Sequence, residues 1–162
     1  MCSAPPNGVE IHSKEESTMA VKPIPEGFHT VVPYLTVDDA SALINFIERA
    51  FDAKVSYCMK DEDGNVRHAE AKIGDSTIMI GQARDEWKSR PGMLVLYVPD
   101  CDAVYKKAVD AGATVVREIA TQAYGDRSGG VADSQGNQWW ISTHVEDVSE
   151  EEIERRMKAG AH

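Results

Sequence analysis

The sequence has no apolar run approaching the roughly 18 to 20 residues needed to cross a bilayer, so membrane insertion is not expected. It is also short of positive charge. Against 27 Asp and Glu stand 17 Lys and Arg, a formal net charge of −10, and the cations are scattered rather than gathered into a stripe. That balance repels phosphate backbones and anionic lipid, so neither nucleic acid nor a membrane surface is an expected partner. Cysteine is scarce: Cys2, Cys58 and Cys101 are odd in number and widely spaced, with no C-x-x-C pair and no histidine at zinc-finger spacing. This usage suits a reducing cytoplasm. G-x-S-x-G, G-x-G-x-x-G and P-loop motifs are missing, which removes the usual signatures of a hydrolase nucleophile, a dinucleotide site and a nucleoside-triphosphate site. The first residues lack a basic start followed by an apolar stretch, so no secretory signal is read there. Residues 1–22, rich in Pro, Ser and Glu, are expected to be a disordered extension.

What is present is a chain of 162 residues with 42% hydrophobic and 27% charged content, enough for one globular unit with its own core. The chain repeats itself. VPYLTVDDASALINFIERAFDAKV at 32–55 and MLVLYVPDCDAVYKKAVDAGATVV at 93–116 each read as strand, helix, strand. Asp38 or Asp39 in the first copy, and Asp100 or Asp102 in the second, are N-cap candidates. Ala42, Leu43, Phe46 and Ala50 recur at helical spacing, and Asp52 and Gly112 close the two helices. Further strands are expected over 54–60, 66–73 and 76–80 in the first half, and over 114–118, 128–133 and 138–144 in the second. Turns fall at Asp61 to Asn65, Gly74-Asp75 and Gly136-Asn137. The result is an α+β chain of two tandem βαβββ modules, 23–84 and 92–147, joined by a linker at 85–91. A C-terminal helix and tail follow over 148–162, opening on a capping box from Ser149 to Glu152. Its acidic residues, with Glu146 and Asp147, read as a solvated face.

Two such modules carrying PYLTVDDASALINFIERAFDAKV, Arg67-His68-Ala69-Glu70, GDRSGGVADSQGNQWW and STHVEDVSEEEI resemble the vicinal oxygen chelate superfamily, and within it the PhnB-like branch. The superfamily includes glyoxalase I, extradiol dioxygenases, fosfomycin-resistance transferases and bleomycin-resistance proteins. The resemblance, over about residues 23–154, implies that each module curls its strands into half of an open, barrel-like sheet around a cleft. It also implies a homodimer. Metal-dependent members draw His, Gln and Glu ligands from the first and fourth strands of each module. Carried onto this chain, those positions are Val32, Ile78, Met93 and Trp140, none of which suits a divalent cation. No cofactor is therefore expected at the usual site.

Strand alternation puts Val32, Tyr34 and Thr36, then Met93, Val95 and Tyr97, then Trp140, Ser142 and His144 on the cleft side. That wall is apolar and aromatic with a few hydrogen-bonding groups, the composition of a small-molecule pocket. Trp139, on the opposite face with Ile141, is expected in the core. Tyr34, Tyr97, Arg127, Trp140 and Ser142 are the candidate ligand contacts. Arg127 could fork onto a carboxylate or phosphate, or be neutralised by Asp126. His68 and Glu70 share a strand face about 7 Å apart; with His144 they could form a relocated metal site or an acid–base pair. Two readings stay open: a small-molecule binder with a metal-free aromatic cleft, or a metal-dependent or acid–base lyase, isomerase or dioxygenase using His68, Glu70 and His144. A third is an interaction module built on the acidic C-terminal helix and the Trp87 linker.

Overall fold

Alternation along the strands and helical spacing between them produce two copies of one unit. The computed structural model describes residues 21–160; of the extension expected over 1–22, all but the last two residues lie outside them. The first unit comprises β1 (Tyr34–Val37), α1 (Ala40–Phe51), β2 (Lys54–Lys60), β3 (Val66–Ile73) and β4 (Ser76–Gln82). The second comprises β5 (Met93–Tyr97), α2 (Cys101–Asp110), β6 (Thr114–Thr121), β7 (Asp126–Ala132) and β8 (Gln138–His144), and α3 (Glu150–Lys158) follows. The strands form two four-stranded mixed sheets, ordered β1-β4-β3-β2 and β5-β8-β7-β6. No helix among the described residues is long and apolar enough to cross a membrane.

The helix starts follow from single side chains. Asp39 accepts from Ala42 N–H at 2.9 Å and Asp100 from Ala103 N–H at 3.0 Å, each satisfying one of the orphan donors of a first turn. Asp52 ends α1 in the left-handed region at φ 54°. Ser149 accepts from Glu152 N–H at 3.3 Å, but the reciprocal half of the expected capping box is not made. The Glu152 carboxylate instead accepts from Arg155 and Arg156, which pulls its pKa down to about 2.

One core serves both units. Leu43, Phe46, Ile47 and Ala50 of α1 pack against Leu35, Val37, Ala69, Ala71, Ile78 and Ile80 of the first sheet. Trp139 of the second sheet is fully buried, with its ring centroid 4.9 Å from Phe51 and 6.4 Å from Phe46. The indole N–H donates to Asp133 Oδ2 at 2.8 Å, and Asp133 also receives Asn137 Nδ2 and the backbone N–H groups of Gln135 and Asn137. Between units, Asp39 N–H donates to Gln135 Oε1 and Arg49 Nη2 to the Ala111 carbonyl, both at 2.8 Å. Each sheet thus turns its helix-bearing face toward the shared core. The opposite face of each sheet carries no helix.

Candidate functional site

The residues of interest lie on these two open faces. Register decides which side chains reach them. In the second sheet Val95 pairs with Trp140 and Tyr97 with Ser142, while Ser142 pairs with Ser128, Trp140 with Gly130 and His144 with Asp126. Met93, Val95, Tyr97, Trp140, Ser142, Ser128 and Asp126 therefore share the open side, with Trp139 and Ile141 on the buried one. In the first sheet Tyr34 pairs with Met79, and Glu70 with Met79 and Tyr57. The open face there carries Tyr34, Tyr57, His68, Glu70 and Met79.

Trp140 is half-buried, and its orientation is set by Gly130 beneath it. Three atoms of its ring lie 3.1–3.2 Å from where a Cβ on Gly130 would sit. The missing Cβ lets the indole lie this close to the β7 backbone; a Cβ there would push the ring back by a few tenths of an ångström. On the far side of the same strand, Tyr105 closes over Gly129.

Beside Trp140 runs a chain of charged hydrogen bonds. Tyr97 Oη donates to Asp126 Oδ2 at 2.7 Å, His144 Nδ1 meets Asp126 Oδ1 at 2.8 Å, and His144 Nε2 meets Asp147 Oδ1 at 2.9 Å. Asp126 is buried. The bond to Asp147, then that to Asp126, holds the His144 pKa above its ordinary value, because both favour the imidazolium. The same Asp126 carboxylate raises the Tyr97 phenol. With a carboxylate on each ring nitrogen, His144 has no free nitrogen to offer a substrate.

On the first sheet, His68 stacks against Tyr34 with ring centroids 5.8 Å apart and lies 6.0 Å from Tyr57. Its Nε2 is 3.5 Å from Glu70 Oε1, the outer limit of a hydrogen bond. The Tyr34 hydroxyl reaches over Gly81, where a Cβ would meet it at 2.5 Å.

Several expectations change. Arg127 lies on the helix side of β7, where its guanidinium forks onto Asp102 with both contacts at 2.6 Å. Its partner is Asp102 in the first turn of α2 rather than Asp126. Ile78, expected at a ligand position, is buried in the core at 3% exposure. The residue equivalent to Trp140 is Met79, one position along, because Tyr34 pairs with Met79 as Val95 pairs with Trp140. The open-face quartet is thus Val32, Met79, Met93 and Trp140, which does not fit the His, Gln and Glu donor set of a divalent metal site. His68 and Glu70 sit on one sheet and His144 on the other, and no group of three His, Cys, Asp or Glu among the described residues could hold a metal ion. Asp126, Ser128 and Gly130, which share the open side with Ser142, are not among the ligand contacts expected from the sequence. Counting back by twos from Ser142 through its paired strand is the signal that would have found them.

Two mixed βαβββ sheets with aromatic open faces define a class of small α+β proteins with paired, repeated modules. Residues 27–141 match the family described as Glyoxalase/Bleomycin resistance protein/Dioxygenase superfamily. The chain belongs to that superfamily. It is 34% identical over 159 residues to an uncharacterized protein of Mycobacterium tuberculosis strain H37Rv, covering 91% of each. Among solved structures it is similar to TioX from Micromonospora sp. ML1, with TM-score 0.63 and 21% identity over 71% of this chain and 98% of that one. It is similar also to a protein of Bacillus cereus titled putative 3-demethylubiquinone-9 3-methyltransferase, PhnB protein, with TM-score 0.56 and 13% identity over 71% of this chain and 99% of that one. These structural likenesses concern the fold.

Proposed function

We propose that this protein is a cytoplasmic, homodimeric binder of a small organic molecule, of the PhnB-like branch, and that its ligand stacks on Trp140 without a metal. The observation that carries this reading is the indole laid flat over Gly130, with the Ser142 and Tyr97 side chains on the same face. A flat aromatic platform flanked by a few fixed polar groups is the usual construction of a small-molecule site. The acid–base alternative is disfavoured at His144, whose two ring nitrogens are occupied by Asp126 and Asp147.

What the second sheet leaves uncovered supports the homodimer. Met93, Val95 and Tyr97 are 68%, 57% and 66% exposed on β5, which is an edge strand. An edge of that composition is a liability unless another surface covers it. In this reading the first sheet's open face of a second copy covers it, which would bring Tyr34, His68 and Glu70 opposite Trp140 and build each cleft from two subunits.

The test is a thermal-shift screen of aromatic small molecules against the wild type, Trp140→Ala and His144→Asn, with metal content measured before and after incubation with Zn, Ni, Mn and Fe(II). The reading expects hits that vanish in Trp140→Ala and persist in His144→Asn. Near-stoichiometric metal that disappears in His68→Ala and His144→Ala would replace it with the catalytic alternative.

A further inference from the structure

The segment leading into β1 does not run straight into the sheet. Pro25 to Phe28 makes a turn closed by Phe28 N–H donating to the Pro25 carbonyl at 3.2 Å, with Gly27 at φ 84°. The turn is clasped to the open face of the first sheet by Thr77, whose hydroxyl donates to the Gly27 carbonyl at 2.8 Å. Thr77 is 8% exposed and lies opposite Lys72 in the register, on the same side as Glu70 and Met79. Residues 23–32 therefore form a strap beside these side chains. Between strap and sheet lies a hollow of about 440 Å³, within the range of roughly 300 to 1,000 Å³ for small-molecule sites. Pro23, Ile24, Pro25, Phe28, Val32 and Met79 give it apolar walls, and Glu70 is the acid among its lining residues.

Glu70 is three-quarters shielded, at 24% side-chain exposure, and the His68 imidazole lies 3.5 Å from its carboxylate. Among the described residues no Lys or Arg is within ion-pairing distance of it, and Lys72, its neighbour on the face, is not an exception. A carboxylate partly removed from water beside apolar walls, without a strong cation of its own, gains most from a charge-assisted donor.

We propose that the strap over residues 23–32 is a wall of the ligand site and that Glu70 sets the ligand's class: an apolar, aromatic body ending in an ammonium or similar N–H cation. This rests on the reading of the open faces as the binding site, and extends it from the Trp140 platform to the opposite sheet. The apolar body lies along Pro25, Phe28 and Met79, and the cation meets the Glu70 carboxylate.

The experiment titrates the full-length protein with three matched probes, 2-naphthylmethylammonium, 2-naphthalenemethanol and 2-naphthoate, followed by NMR line shifts up to millimolar concentration. The variants are Glu70→Gln, Thr77→Val and Trp140→Ala, each checked for an unchanged circular-dichroism spectrum. The expected result is at least a tenfold preference for the ammonium in the wild type, erased in Glu70→Gln with the alcohol's affinity unchanged, and weaker binding of all three probes in Thr77→Val. A preference that survives Glu70→Gln, or binding indifferent to Thr77→Val, overturns the inference. If in that case Trp140→Ala abolishes binding, the Trp140 platform stands and only the strap falls; if Glu70 and Thr77 matter and Trp140 does not, the reverse holds. Absence of binding by all three probes overturns both.

Discussion

At Gly130 a single methyl group would do disproportionate work. Gly130→Ala places a carbon about 3.1 Å from the Trp140 ring, tighter than ordinary van der Waals contact, so the indole must shift by a few tenths of an ångström. The variant is expected to stay folded, because β7 pairing does not depend on that side chain, and to bind any ligand that stacks on Trp140 more weakly than the wild type. Ligand-induced thermal shift compared with the wild type checks this. His144 makes a different kind of prediction. Its folded pKa is raised by Asp147 and Asp126, so its contribution to stability is fully present below the unfolded value of about 6.5 and is lost as pH rises through the folded value. The melting temperature of wild type minus His144→Asn should therefore be positive and steady below about pH 6.5 and shrink toward zero as pH rises through the folded value. A difference that grows with pH would mean that the imidazole is held neutral.

Among the elements, the turn between β7 and β8 carries the heaviest polar load. Asp133 is 6% exposed and accepts from Trp139, Asn137 and two backbone N–H groups. Asp133→Ala leaves those donors unpaired in the interior and should cost about 3 kcal/mol or more, or about 6 to 12 °C in melting temperature for a domain of this size. By contrast, the Arg127–Asp102 fork is partly exposed, at 36% and 51%, so Arg127→Gln should cost less than about 1 kcal/mol. Much of this layer was legible beforehand. The capping aspartates, Asp39 and Asp100, and the Asp52 helix end were readable because each acts within a few residues of its own position. Alternation read the buried and open sides of β5 and β8. It failed in β6, which runs to Thr121 instead of stopping at Glu118, because register shifts between Val115 and Arg117 and between Arg117 and Ala120 interrupt the period of two. It slipped by one at Ile78 because the turns before β4 and β8 are not equivalent spacers. The Tyr97–Asp126 bond joins residues 29 apart, and no local pattern announces it. Arg127 went astray for the same reason, its partner being a helix residue 25 positions away.

For the molecule as a whole, the uncovered β5 edge makes oligomeric state a direct readout of the proposed cleft. Val95→Glu puts a charge in the middle of the exposed apolar row without touching the core, since Val95 is 57% exposed. It should leave the melting temperature of the monomer unchanged and move the protein from dimer to monomer in sedimentation, with ligand binding lost in step. A dimer that survives this change would place the subunit contact elsewhere. The repeat and the helix pattern made two modules of a single globular unit readable from the sequence, but not which side chains join their interiors. Trp139 belongs to the second unit by chain position and to α1 of the first by its neighbours Phe46 and Phe51. A chain severed between Ala83 and Gly92 would give two pieces, one missing the indole that fills its hollow and the other bearing an indole with nowhere to go. Each would be a poor folder alone and a template for the other, so the two halves, fused to separate proteins, would form a reporter of when those proteins meet.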